Sequence, residues 1–155
     1  MHPLEKLIRQ LESNIPAHGQ VNTAVSASGV GWHIEHSLIT IQRIIRAVKA
    51  SDPGTYKWSF KFNRMRVLVT KTIPRGVAKA PQAVIPQGQT DEATLRASVS
   101  KALEMTKEIA FIQRNQNFTH PYLGQLNKRA AIQFLEIHTH HHLKIIRDIT
   151  AGMPH

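Results

Sequence analysis

The chain reads as an all-α protein built on a four-helix bundle, and three observations carry that expectation. Four separate stretches repeat apolar residues at spacings of three and four, the period of an amphipathic helix. The longest interval between them, 51–89, has four prolines and no sustained periodicity, so it reads as a long crossover between the second and third helices. The length, 155 residues, suits a single domain over 1–155 with one core of moderate size.

The first helix covers residues 3–15, where Leu4, Leu7, Ile8, Leu11 and Ile15 share a face and Pro16 with Gly19 closes the segment. A polar, small-residue stretch then offers Ser26 or Ser28 as the N-cap of a second helix that runs to about Ala50. Its stripe is Ile34, Leu38, Ile41, Ile45 and Val48, with the alternating spacings of a helix packed nearly parallel or antiparallel to others. In the crossover Trp58, Phe60 and Phe62 alternate, and Met65–Val69 is apolar enough for a short helix or a strand lying on the bundle.

Thr90 supplies a cap, and Asp91 and Glu92 place carboxylates at the positive end of the dipole of a third helix. Leu95, Val99, Leu103, Thr106, Ile109 and Ile112 continue it to roughly Arg114. Residues 115–126, with Phe118-Thr-His-Pro-Tyr-Leu-Gly124, form a turn-rich connection. Asn127 caps a fourth helix that persists to about Thr150, where Gly152 and Pro154 end it. A connection of some forty residues between helices two and three lets those helices run parallel.

Composition excludes several chemistries. There is no cysteine, which removes disulfides, thiolate zinc sites and a cysteine nucleophile together. The N-terminus lacks a signal-peptide pattern and no apolar run approaches membrane-spanning length, so the expectation is a cytoplasmic protein with no membrane partner. The formal charge is +10, and seven basic residues from Lys57 to Lys79 stand between Asp52 and Asp91 without one acidic residue. That region is read as a solvated, positive crossover, with an anionic-ligand role behind it. Nucleic acid is disfavoured as a partner, because charge alone supports it and no recognition helix or aromatic platform is legible.

The chemistry concentrates in His138-Thr-His-His-His142. His138 and His142 are four residues apart and so share one face of a helix, the chelating arrangement. They fall on the core-facing series Ala131, Leu135, His138, His142, Ile145 and Ile149. Buried imidazoles need partners for both ring nitrogens, and a divalent metal satisfies two lone pairs at once. His140 and His141 point sideways or outward. A third ligand must come from another element, and helix two offers Trp32-His33-Ile34-Glu35-His36. On the wheel His33 lies at the edge of the Ile34 stripe and His36 roughly opposite its centre, which favours His33; a later start or a bend in that helix would exchange the two roles. Glu35, His36, His120 and His141 are the candidates for proton transfer.

The pairing of Trp32-His33-Ile34 with His138-Thr-His-His-His142, together with Phe118-Thr-His120-Pro121, resembles the DinB/YfiT superfamily of four-helix-bundle metalloproteins. The stretches Val30–Leu38, Ile73–Pro81 and Phe118–Gly124 are similar to one branch of it. The resemblance implies an up-down-down-up bundle, a divalent metal held by His33, His138 and His142, and often a homodimer. Related sulfoxide synthases place their first histidine after a tryptophan in a way that matches His36 instead. Histidine ligands suit zinc, nickel, iron or copper. The expected function is a metal-dependent hydrolase or thiol transferase acting on a small molecule, anionic or a thiol. The alternative is a non-catalytic, metal-stabilised binding or stress-response module.

Overall fold

The computed structural model describes residues 2–76, 79–87 and 90–152; Pro154, expected to help end the last helix, lies outside them. Helix α1 (Pro3–Ser13) begins with a reciprocal cap in which His2 Nδ1 accepts from the Leu4 amide and Glu5 accepts from the His2 amide. Pro3 needs no amide partner there, and its ring presets the helical φ. A 3₁₀ turn at Ile15–Ala17 follows.

Helix α2 (Val30–Ala50) starts from Gly29, later than the Ser26 or Ser28 cap expected. The reason is local: Ser26 Oγ is already accepting the Ser28 amide and holding the His33 ring. The start is also tight, since a Cβ on Gly31 would lie 2.6 Å from Thr90 Oγ1 and 3.0 Å from the His18 carbonyl. The undecided piece of the crossover is a helix, α3 (Phe62–Thr70), stopped by Lys71 at φ 53°. Helix α4 (Glu92–Glu108) is capped by Asp91, whose carboxylate accepts the Thr94 amide at 2.8 Å, and it gives way to a 3₁₀ turn at Ile109–Phe111 rather than reaching Arg114.

The expected turn-rich connection is an antiparallel hairpin, β1 (Asn117–His120) and β2 (Gly124–Asn127). Phe118 stands opposite Leu126, and Gly124 takes φ 72°, a left-handed conformation that a glycine adopts without strain. His120 Nδ1 accepts the amides of Tyr122 and Leu123 and so fastens the turn. Asn127 then caps α5 (Lys128–Ala151) by accepting from the Ala130 amide at 3.1 Å. The described chain is therefore mainly helical with one small sheet.

Helix α2 packs on both α4 and α5, and α1 packs on the same two. Gly31 meets Thr90 at one end of α2 and Lys49 pairs with Glu108 at the other, so α2 and α4 run parallel. Glu5 of α1 touches Thr106 near the end of α4, and Lys128 at the start of α5 bonds the Ile112 carbonyl just beyond α4. Helices α1 and α5 thus run opposite to α4. The α2 stripe, with Leu4, Ile8, Leu11, Leu95, Leu135 and Ile146, forms the centre of the core.

The crossover is not uniformly solvated. Arg64 is buried and donates to the carbonyls of Ser59 and Gln125, clamping the segment ahead of α3 to the hairpin. Arg75 reaches Asp148 of α5 at 2.7 Å. Trp58, Phe60 and Phe62 are exposed. No helix among the described residues is long and apolar enough to cross a membrane.

Candidate metal centre

Three imidazoles converge between α2 and α5. His36 Nε2 lies 3.2 Å from His138 Nε2, which lies 3.3 Å from His142 Nε2. The ligand atoms that these three residues offer all fall within 4.8 Å of one another. Two nitrogens bound at 2.0–2.1 Å to a tetrahedral ion stand about 3.3 Å apart, so the spacing fits a shared metal.

The hydrogen positions point the same way. A carbonyl only accepts, so the 2.8 Å contact of His36 Nδ1 with the Val84 carbonyl puts the hydrogen of His36 on Nδ1 and leaves Nε2 as a bare lone pair. A hydrogen on His138 Nε2 can serve His36 or His142 but not both. His138 Nδ1 is buried with no partner among the described residues, so it is unpaired whichever nitrogen carries the hydrogen, and the Nε2 contacts alone bear on the choice. A cation at the centre satisfies every Nε2 at once.

Burial keeps these rings neutral. Desolvation holds His138 and His142 well below the ordinary histidine pKa, reinforced for His138 by His36 and for His142 by His138. Desolvation also lowers His36, against the raising effect of its bond to Val84. Neutral imidazoles with inward lone pairs are the state in which histidine ligates. Apolar and aromatic walls complete the site: Trp32 stacks on His36 at 4.7 Å, and the Phe134 ring lies 5.6 Å from that of His138.

His138 and His142 thus meet as the spacing on one helix suggested, and the structure places His36, not His33, in the group with them. His33 is buried one layer out. Its Nδ1 lies 2.9 Å from His142 Nδ1 and its Nε2 lies 3.0 Å from Ser26 Oγ. Desolvation, then the charge of His36, lowers its pKa to about 4. The wheel missed this because α2 is buried on more than one side: Gly31, His33, His36, Ser37 and Thr40 are enclosed as fully as the Ile34 stripe. One local signal was available in Trp32, four residues before His36 and therefore able to lay its ring on that imidazole.

The remaining candidates separate. His141 is half-buried with its ring 5.1 Å from that of His142, and His140 is exposed. His120 stands behind Phe134, 4.7 Å ring to ring. Glu35 faces α4, where Ser98 Oγ lies 3.5 Å away, and its burial raises the carboxyl pKa. Beside α5, Lys71, Arg75, His141 and Lys144 line a hollow of about 290 Å3. No family model, curated protein or solved structure matches this chain.

Proposed function

We propose that this chain is a divalent-metal-binding protein of the DinB/YfiT-like kind, with zinc, nickel or iron held by His36, His138 and His142, acting as a metal-dependent hydrolase or thiol transferase. The observation that carries the proposal is the convergence of three neutral Nε2 atoms at metal-ligand spacing. The pairwise directions of α1, α2, α4 and α5 support the up-down-down-up bundle that goes with it. Three protein ligands leave a coordination position open for substrate or water. A divalent ion there supplies Lewis acidity and lowers the pKa of a bound water or thiol towards about 7.

The chain's own groups supply the rest. Trp32 and Phe134 limit water around the imidazoles. Lys71 and Lys144, with Arg75 ion-paired to Asp148, line the hollow beside His141, and the two lysines favour a small anionic substrate there. His141 is kept neutral by burial and by nearby Arg75 and Lys144, so a ring nitrogen is free to take a proton at neutral pH. Glu35, turned towards α4, is not available for that role.

Elemental analysis of protein purified without a nickel column tests the proposal. About one equivalent of a single transition metal is expected, with loss of that equivalent in His36→Ala, His138→Ala and His142→Ala. Wild-type protein that takes up no zinc, nickel or iron on titration would sink the reading. A full metal complement with empty screens of ester, amide and thiol-transfer substrates would convert it to the non-catalytic, metal-stabilised module.

A further inference from the structure

We propose that His33 is a positioning residue, the middle of a Ser26–His33–His142 relay that holds His142 in the tautomer whose Nε2 lone pair faces the centre. The inference rests on the metal-binding reading above but concerns a different residue and a different observable. Its starting point is the Nδ1–Nδ1 contact of 2.9 Å between His33 and His142, a distance at which two neutral rings share one hydrogen.

That hydrogen has two possible owners. If it belongs to His33, then the hydrogen of His142 is on Nε2, aimed at His138 Nε2 at 3.3 Å, and the ring cannot ligate through that atom. If it belongs to His142, Nε2 of His142 is bare, and the hydrogen of His33 is on its own Nε2, directed at Ser26 Oγ at 3.0 Å. Both arrangements complete the Ser26–His33–His142 bonds, because the serine hydroxyl donates to His33 Nε2 in the first and accepts from it in the second, but only the second leaves His142 Nε2 bare towards the centre. Ser26 Oγ has two lone pairs, one taken by the Ser28 amide at 3.1 Å and the other open to His33, while its own hydrogen is free to turn away.

The relay parallels what Val84 does for His36. There a backbone carbonyl fixes the Nδ1 hydrogen; for His142 a second imidazole, itself anchored by Ser26, does the same work. Outer partners of this kind set ligand orientation and typically change metal affinity 10- to 100-fold when removed. The Ser26 placement also accounts for the late start of α2, since the segment ahead of Gly29 is folded around the His33 ring.

The test has two arms. In metal-free protein, long-range ¹⁵N–¹H NMR of the imidazoles is expected to show His142 protonated on Nδ1 and His33 on Nε2. A His142 hydrogen found on Nε2 overturns the proposal, whatever the metal result. In the second arm, zinc and cobalt titrations compare His33→Ala, His33→Asn and His36→Ala. His33→Ala should keep one equivalent of metal with affinity 10- to 100-fold weaker and an altered cobalt visible spectrum. His33→Asn, whose carbonyl can accept from His142 Nδ1, should recover most of the loss, which separates orientation from a general packing defect. Loss of the whole equivalent in His33→Ala with retention in His36→Ala would make His33 the ligand and overturn the relay. A wild type that binds neither ion would end the metal reading, and the NMR arm would still decide the hydrogen positions.

Discussion

His120 shows how one half-buried ring is given a fixed hydrogen. Its Nδ1 accepts two turn amides, and desolvation lowers its pKa to about 4. The folded state therefore resists protonating a group that the unfolded chain protonates near 6.5. Above about pH 6.5 neither state carries the proton and there is no cost. Between about 6.5 and 4 only the unfolded chain binds it, so stability falls as pH falls; below about 4 the loss is complete. This lowering, discounted because the ring is only partly enclosed, corresponds to about 1–2 kcal/mol. His120→Asn keeps an acceptor for the turn amides without the titration. Urea melts in EDTA at pH 7.5 and 4.5 should show the variant losing less stability than wild type, and equal losses would refute the assignment. At the same scale, His33 and His36 lie only about 60° apart on the helical wheel, too close for periodicity to separate. What separates them is the carbonyl of Val84, forty-eight positions from His36, and no local pattern reports it.

The elements were legible in proportion to their length. The long periodic helices stand close to where their apolar stripes put them, because a stripe repeated over several turns records the face that is buried. Their ends were less legible. The α2 cap moved from serine to Gly29 because a serine was already bonded elsewhere, and α4 stopped early in a 3₁₀ turn although Ile109 and Ile112 are still buried. Four-residue strands are too short for alternation to register, so the hairpin read as turns. Asn127 joins that hairpin to the helix bearing His138 and His142, and its cap is a single side-chain bond to the Ala130 amide. Asn127→Ala should cost about 1 kcal/mol and lower the thermal midpoint by a few degrees. An unchanged midpoint by circular dichroism would show that water replaces the cap fully.

For the whole molecule a metal-loaded centre would act as a clasp. His36 and His138 are 102 positions apart, and an ion shared between them ties α2 to α5 across the crossover and the hairpin. An ion that binds only the folded chain stabilises it by about 4 kcal/mol when its free concentration is a thousand times Kd. Chelation should therefore lower the thermal midpoint by roughly 10 °C, reversibly on adding the metal back. Differential scanning fluorimetry with and without EDTA checks this; identical midpoints for zinc-loaded and stripped protein would mean that no such clasp forms.

The amino-acid sequence by itself determined the helical class, the positions of the long helices, the absence of cysteine chemistry and the pairing of His138 with His142, since each of these depends on residue type and on spacing along one element. Only the tertiary structure decided that α2 and α4 run parallel, that Arg64 is a buried clamp, and that His36 meets His138 of α5 while His33 stands behind His142. These last features rest on which atoms of distant segments come within hydrogen-bond reach. The deciding contacts are the Val84 carbonyl on one ring and the Ser26 hydroxyl on another, and helical periodicity carries no information about either.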